Sequence, residues 1–308
     1  SNNRELLSVT PDILVNRFDQ RLIKNEFFTK YHLRDRYYPG NIDYLKKRMD
    51  KHYDKAKINL DYHPICFHYN LTLWGLQFHP GLVKFFKLLA ELNIFIPLLA
   101  ILFFFVLSLI VIKLRAKHIL YTVPVSIAVS GALCIALEII IILSFQITYG
   151  YVYSKVGFLI ALFMLGIALG GFIVNRSLER IDNHKRWLSL TVLFLSSYTL
   201  ALPSTIKMIS MLDKDIIQFI FYLMALLAGC MTGSQFPLAL SILKKEERLT
   251  GTVSIIWGAD LLGAAAGTLI CSLVTIPILG IYQTALLGSL LGALTFVLLT
   301  LSHQIPQR

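Results

Sequence analysis

The sequence predicts a mainly α, polytopic membrane protein: a seven-helix transmembrane bundle behind the tail of a water-facing domain. Three observations carry that expectation. Seven apolar stretches of span length fill the chain from about Asn93 to its end. Hydrophobic residues make up 56% and charged residues 15%, with a mean hydropathy of +0.66, outside the usual range of a soluble domain. Ahead of the first stretch stand some 92 polar, basic residues that begin on Ser1 without a methionine, which reads as a fragment whose body lies upstream. The first residues, SNNRELLSVT, hold no apolar run, so a signal peptide is not expected.

In the front segment, Thr10-Pro11-Asp12 reads as N-cap, first helical residue and acidic first turn. Ile13, Leu14, Phe18 and Leu22 then form one apolar stripe at helical spacing. Pro39-Gly40 breaks the chain, and Asn41 is expected to cap a second helix carrying Ile42, Leu45, Met49 and Tyr53. KINLDYHPICFHYNLTLWGLQF follows, rich in aromatics and without a clean period. Pro80-Gly81 opens an amphipathic run over 81–93, in which Lys84, Lys87 and Glu91 punctuate Leu82, Phe85, Phe86 and Leu89. Such a helix suits the membrane surface just before a span.

A span needs about 20 apolar residues, and they are placed near 94–112, 122–146, 156–174, 187–204, 216–240, 253–277 and 281–301. The connections are short, and the last is a bare Leu279-Gly280-Ile281, which forces a helical hairpin. Pro124, Pro237 and Pro277 should kink or end their helices. The stretch Gly229–Pro237 could unwind locally as transporter helices do, although close helix packing alone explains its small residues more readily.

Charge is distributed as a membrane protein distributes it. The net +11 does not point to nucleic acid: residues 1–92 hold fifteen Lys/Arg against ten Asp/Glu, and the other basic residues sit at the ends of apolar runs. The first, third and fifth loops carry Lys113, Arg115, Lys117, Arg176, Arg180, Lys185, Arg186, Lys244, Lys245 and Arg248; the even loops carry only Lys155, Lys207 and Lys214. By the positive-inside rule the odd loops face the cytoplasm of a cell (inner) membrane, which puts residues 1–92 on the other side.

Only two acidic residues fall within the apolar cores, Glu138 and Asp260. A carboxylate in hydrocarbon costs about 2.5–3.5 kcal/mol on insertion scales, so each should face protein or water. Gly131 and Cys134 share a helical face with Glu138, and Gln146 follows two turns on; Gly263 and Gly267 share the face of Asp260. Both carboxyls thus lie on small-residue faces that a neighbouring helix can approach. They form a proton or cation site, a polar wall to a substrate cavity, or hydrogen bonds to a neighbouring helix. Gln235 is a further intramembrane polar residue. Small-xxx-small pairs at Gly166/Gly170, Gly229/Gly233, Gly263/Gly267 and Gly288/Gly292 argue for a compact bundle.

Several chemistries have no motif here. No GxGxxG, Walker A, HExxH, nucleophile elbow or paired-carboxylate pattern occurs, and Cys66, Cys134, Cys230 and Cys271 have no metal or redox spacing. His63, His68 and His79 cluster loosely without ligand spacing, so no metal site is expected.

Three stretches resemble a known family. QITYGYVYSKVGFLIALFMLGIALGG (Gln146–Gly171), LLAGCMTGSQFPLALSIL (Leu226–Leu243) and GADLLGAAAGTL through IPILG (Gly258–Gly280) look like the membrane domain of bacterial spermidine synthase-like proteins. In these, an aminopropyltransferase-like Rossmann domain is fused to membrane helices. Ser1-Asn2-Asn3 resembles the end of a late strand of that domain, and Ile58–Gly75 its closing Asn-x-Asp-x-x-Pro element, through Asn59, Asp61 and Pro64. The resemblance implies that residues 1–80 are the C-terminal remnant of an α/β domain and 94–308 the transmembrane domain. It implies decarboxylated S-adenosylmethionine as cofactor of the upstream part, with none held in this chain, and makes Asp61 a candidate border of a polyamine pocket. The glycine-rich loop and activating aspartate of the family are not in these residues, so this chain alone is expected to be inactive as an aminopropyltransferase. Cytosolic substrates would also demand a cytosolic domain, against the side that the loop charges give. The rival readings are a transporter-like bundle for a cation or polyamine using Glu138 and Asp260, and a non-catalytic membrane subunit. Expected partners are the bilayer, the upstream part of the same protein or another subunit, and a second copy of the chain.

Overall fold

The computed structural model describes residues 10–22, 29–52, 57–78, 80–114, 119–150, 152–244 and 249–304. Ser1-Asn2-Asn3, His79, and the basic loop residues Arg115, Lys117, Lys245 and Arg248 lie outside the described residues. The chain divides into two compact units, Ser1–Ile58 and Asn59–Arg308.

The first unit holds α1 (Pro11–Gln20), α2 (Lys30–Arg36) and α3 (Pro39–His52). α1 starts where the Thr10-Pro11 pair predicts. α2 was not foreseen; Thr29 opens it, its N–H donating to His32 Nδ1 at 3.2 Å. α3 begins at Pro39, two residues before the expected Asn41 cap, because a proline's fixed φ and missing N–H suit a first helical turn. Asn41 instead donates through Nδ2 to the Asp35 carbonyl at 2.9 Å. The pairs Lys30–Asp19 (3.9 Å) and Arg34–Asp12 (3.6 Å) are exposed and contribute little.

In the second unit, Asn59–Gly75 forms a turn and a helix, and no strand occurs among the described residues. Asp61-Tyr62 forms a tight turn, closed by Leu60 N–H to His63 O (3.2 Å) and His63 N–H to Leu60 O (2.9 Å). Asn59 Oδ1 then accepts from Cys66 N–H at 2.9 Å, and α4 runs from Ile65 to Phe78. The asparagine thereby satisfies one orphan donor of the first helical turn. A segment lacking period-two alternation gains more from this than from an edge without a partner strand. α5 (Pro80–Ala90) is the expected juxtamembrane helix and packs on α4.

Seven spans long and apolar enough to cross a membrane follow, at the predicted places and a few residues longer. They are α6 (Phe95–Leu114), α7 (Ile119–Tyr149), α8 (Tyr153–Ser177, continued by a 3₁₀ turn to Arg180), α9 (His184–Ile209), α10 with α11 (Lys214–Gly233 and Gln235–Lys244), α12 (Leu249–Ile270, continued by a π-helical stretch to Leu279) and α13 (Ile281–Gln304). The chain is therefore a multi-pass membrane protein. α7 passes unbroken through Pro124. The break at Ser234 lies just before Pro237, which has no N–H to give the carbonyl of Gly233. Pro277 sits in the π-helical stretch.

Glycines set the helix spacing. A Cβ on Gly166 or Gly170 would run into the α10 backbone at Leu226 and Cys230, and one on Gly229 or Gly233 into the α8 backbone at Phe163 and Ile167. Gly263 meets the Ala128 carbonyl of α7 in the same way, and a Cβ on Gly267 would lie 2.7 Å from Ala132 Cα. Two pairs, α8/α10 and α7/α12, are thus in backbone contact, the small-xxx-small geometry. Gly288 and Gly292 differ: α13 packs there against side chains of Leu133, Ser196 and Thr199. The core between these helices is built on fully buried Phe145, Phe163, Phe221, Leu137, Ile140 and Ile141.

The Asn59–Pro64 turn is stapled to the α12–α13 hairpin. Ile281 N–H donates to Tyr62 O (2.9 Å), and His63 Nε2 donates to Ile278 O (2.7 Å). Gly280 makes the corner at φ +87°, and a Cβ there would lie 2.8 Å from Tyr62 O. Gly280→Ala should therefore lower stability by about 1–3 kcal/mol, combining left-handed strain with displacement of the turn. Thermal unfolding in detergent checks this, with Gly157→Ala as reference, because a Cβ at Gly157 meets nothing within 4 Å. Equal midpoints for the two variants would refute it.

Candidate functional site

Four elements converge on one intramembrane cavity of about 800 Å³. α7 contributes Ser130, Gly131, Cys134 and Glu138; α8 contributes Phe163, Gly171, Phe172 and Asn175; the α10–α11 junction contributes Thr232, Gly233, Gln235 and Phe236; α12 contributes Trp257, Asp260 and Leu261. Both sequence-predicted carboxyls therefore face the same space, although 122 residues separate them in the chain.

The local sequence explains how each carboxyl gets there. Gly131 lets α12 come so close that a Cβ on it would lie 2.6 Å from Asp260 O and 2.7 Å from Asp260 Oδ1. The Asp260 carboxyl thus lies over the small-residue face of α7. Glu138 is seven residues further along that face, about 10 Å along the helix axis at 1.5 Å per residue. Both are half-buried, and among the described residues neither makes a side-chain hydrogen bond to another protein group.

Gln235 is the most unusual side chain in the cavity wall. It is 1% exposed, yet its amide Nε2 and Oε1 both have no hydrogen-bond partner. An unmet buried amide costs about 1–3 kcal/mol, so its position calls for a function or a partner. Beside it, Pro237 leaves the Gly233 carbonyl without its helical donor. That oxygen points at Gly171, 3.4 Å from where a Cβ would stand, and both glycines line the cavity. The cavity thus gathers two carboxyls, with the unpartnered Gln235 amide buried in its wall. All but the amide N–H are acceptors, as a cationic hydrogen-bond donor requires.

Other predicted residues go elsewhere. Gln146 lies too far along α7 to reach the cavity. With Asn59, Asp61 and Pro64 it lines a separate pocket of about 340 Å³, and Asp61 borders a second of about 450 Å³ beside Gly280 and Gln283. The glycine pairs are packing elements; of them only Gly233 lines the cavity, along with Gly131 and Gly171. Cys66, Cys134, Cys230 and Cys271 are free thiols. No group of three or more His, Cys, Asp or Glu side chains gathers as a metal site among the described residues.

Asn175, Thr232 and Trp257 were missed from sequence. A helical projection of α8 would have put Asn175 on the face of Gly171, four residues away. Nothing local marks the other two. Lys155, a basic residue at the head of α8, is already engaged: its Nζ donates to the Tyr149 hydroxyl and to Gln218 Oε1 (2.6 Å), and lies 4.2 Å from the Tyr149 ring centroid. It ties the second loop to α10 and is no free cation.

Compared with known families, characterised proteins and solved structures, the chain matches none. Its functional reading rests on the cavity itself.

Proposed function

We propose that the bundle is a transporter-like membrane domain that binds an organic amine cation between Glu138 and Asp260. The observation that carries this reading is the convergence of both intramembrane carboxyls and the unpartnered Gln235 amide on one cavity. Carboxylates and free carbonyl oxygens accept the N–H groups of an ammonium. Their spread along about two turns of α7 suits a ligand with extended or multiple donors better than a bare ion, whose oxygen ligands must all approach within about 2.6 Å. Phe236 and Trp257 add aromatic faces of the kind that attract cations. Polyamines meet these requirements, and the resemblance to spermidine synthase-like membrane proteins supports the same ligand class. In that reading this chain supplies the membrane part, and aminopropyl transfer belongs to an upstream domain. Uptake of radiolabelled spermidine into proteoliposomes, wild type against Glu138→Gln/Asp260→Asn, tests the proposal. Equal uptake in both, or none in either, would remove spermidine as its ligand.

Gln235 supplies a separate check. Gln235→Leu removes an amide that has no partner in the protein, so the thermal midpoint should stay the same or rise. Spermidine uptake should nevertheless fall by about ten- to a hundredfold, the value of one hydrogen bond to a charged group. A destabilised variant with full uptake would show the amide to be structural.

A further inference from the structure

We infer that the cavity is entered sideways from the bilayer and that its occupant is an amine carried on an apolar chain. This rests on the amine-binding reading above and adds the form of the ligand and its route. The helix pairing leaves the opening. α8 packs on α10, and α12 packs on α7, while α8 and α12 make little or no contact with each other among the described residues. Both nonetheless line the cavity, so the space between them is a gap in its wall.

The rim of that gap is apolar. On α8 it carries Met164, Ala168 and Phe172, and on α12 Trp257 and Leu261; all are exposed, Phe172 at 64% and Trp257 at 60%. All five lie within helices long and apolar enough to cross the hydrocarbon of a bilayer. A mouth serving a fully hydrated ion would need several polar groups to replace its water; here the exposed polar lining on α8 is Asn175, near the end of the helix. Behind the rim lie Glu138, Asp260 and Gln235. The polarity therefore runs from an apolar mouth to an acidic interior, the reverse image of an amphiphile with a cationic head. A cavity of about 800 Å³ is within the range of sites for drug-sized molecules, well beyond an ammonium group. It has room for the first part of the chain as well as the head.

The test uses the purified chain in phosphatidylcholine vesicles and a hexadecylamine carrying a diazirine in its chain. Photolabelling should fall on 164–172 of α8 and 257–261 of α12, and should be competed by hexadecylamine but not by hexadecanol. Ala168→Trp, which adds bulk to the mouth, should cut labelling at least about tenfold; Ala161→Trp, on α8 but outside the cavity, should not. Leu261→Trp closes the same mouth from α12 and replaces Ala168→Trp if that variant does not elute as a single folded species. Glu138→Gln/Asp260→Asn should lower amine labelling by a similar factor and leave the diazirine-bearing alcohol unchanged. Amine and alcohol probes labelling alike, or labelling spread evenly over lipid-facing residues such as Phe103 and Phe104, would overturn the inference. Carboxylate-dependent uptake of spermidine that Ala168→Trp and Leu261→Trp leave intact would also overturn it, with the amine-binding reading standing. If neither spermidine nor hexadecylamine responds to the amide variants, the amine-binding reading itself falls.

Discussion

Amide replacement of both intramembrane carboxyls, Glu138→Gln with Asp260→Asn, should abolish amine uptake and leave the fold standing. The two side chains change by one atom each, and neither holds a protein partner whose loss would open the bundle. Gly131, Gly263 and Gly267, which set the α7/α12 spacing, are untouched. What disappears is charge. A hydrogen bond to a charged group contributes about 1.5–3 kcal/mol, so two of them amount to about 3–6 kcal/mol, or two to four orders of magnitude in affinity. Initial rates of spermidine uptake report the affinity, and the thermal midpoint in the same detergent reports the fold. A midpoint that collapses together with uptake would assign the carboxyls to packing. Removal of a buried charge usually relieves desolvation, so a slight rise in midpoint is the expected direction.

Leucine at Gly170 or Gly233 should do the opposite, removing the fold and with it every activity. At these positions a side chain would enter the main chain of the facing helix, at Cys230 and at Ile167, and a backbone cannot turn aside as a rotamer can. Overpacking against side chains costs about 1–3 kcal/mol, and forcing two backbones apart along a shared face costs more. Much of the bundle's stability would be spent, since net stabilities are about 5–15 kcal/mol. Gly288→Ala is the contrast, because its nearest neighbours are Leu133 Cδ2 at 3.1 Å and Thr199 Cγ2 at 3.5 Å, both movable side-chain ends. Size-exclusion profiles and thermal melts of the three variants decide the matter: a well-folded Gly170→Leu protein would refute the backbone contact between α8 and α10.

The spans were legible because twenty apolar residues in a row have few other uses, and the bilayer sets their length. The inward aim of Glu138 and Asp260 was legible too, through the glycines on their helical faces. Their meeting was not. It depends on α12 crossing α7 at Gly131, a tertiary choice that no local window contains. Gln235 could be read as polar and intramembrane, but its lack of a partner is visible only once every neighbour is placed. The front of the chain was less legible for a different reason. Ile58–Gly75 carries a motif-like Asn-x-Asp-x-x-Pro and many aromatics without a clean period, so its local structure was not legible. Asn59 closes the turn by accepting the Cys66 N–H on its side-chain oxygen at the start of α4.

The two glycine-locked pairs have a mechanical consequence. Within α8/α10, and within α7/α12, main chain already touches main chain, so neither pair can tighten further. The cavity draws its walls from both pairs, with Glu138 and Asp260 in one and Phe172, Asn175 and Gly233 in the other, and Gln235 at the start of α11 beside them. Its width is thus a hinge coordinate between two stiff leaves, and any change that grips or frees a ligand must appear as a tilt of one leaf against the other.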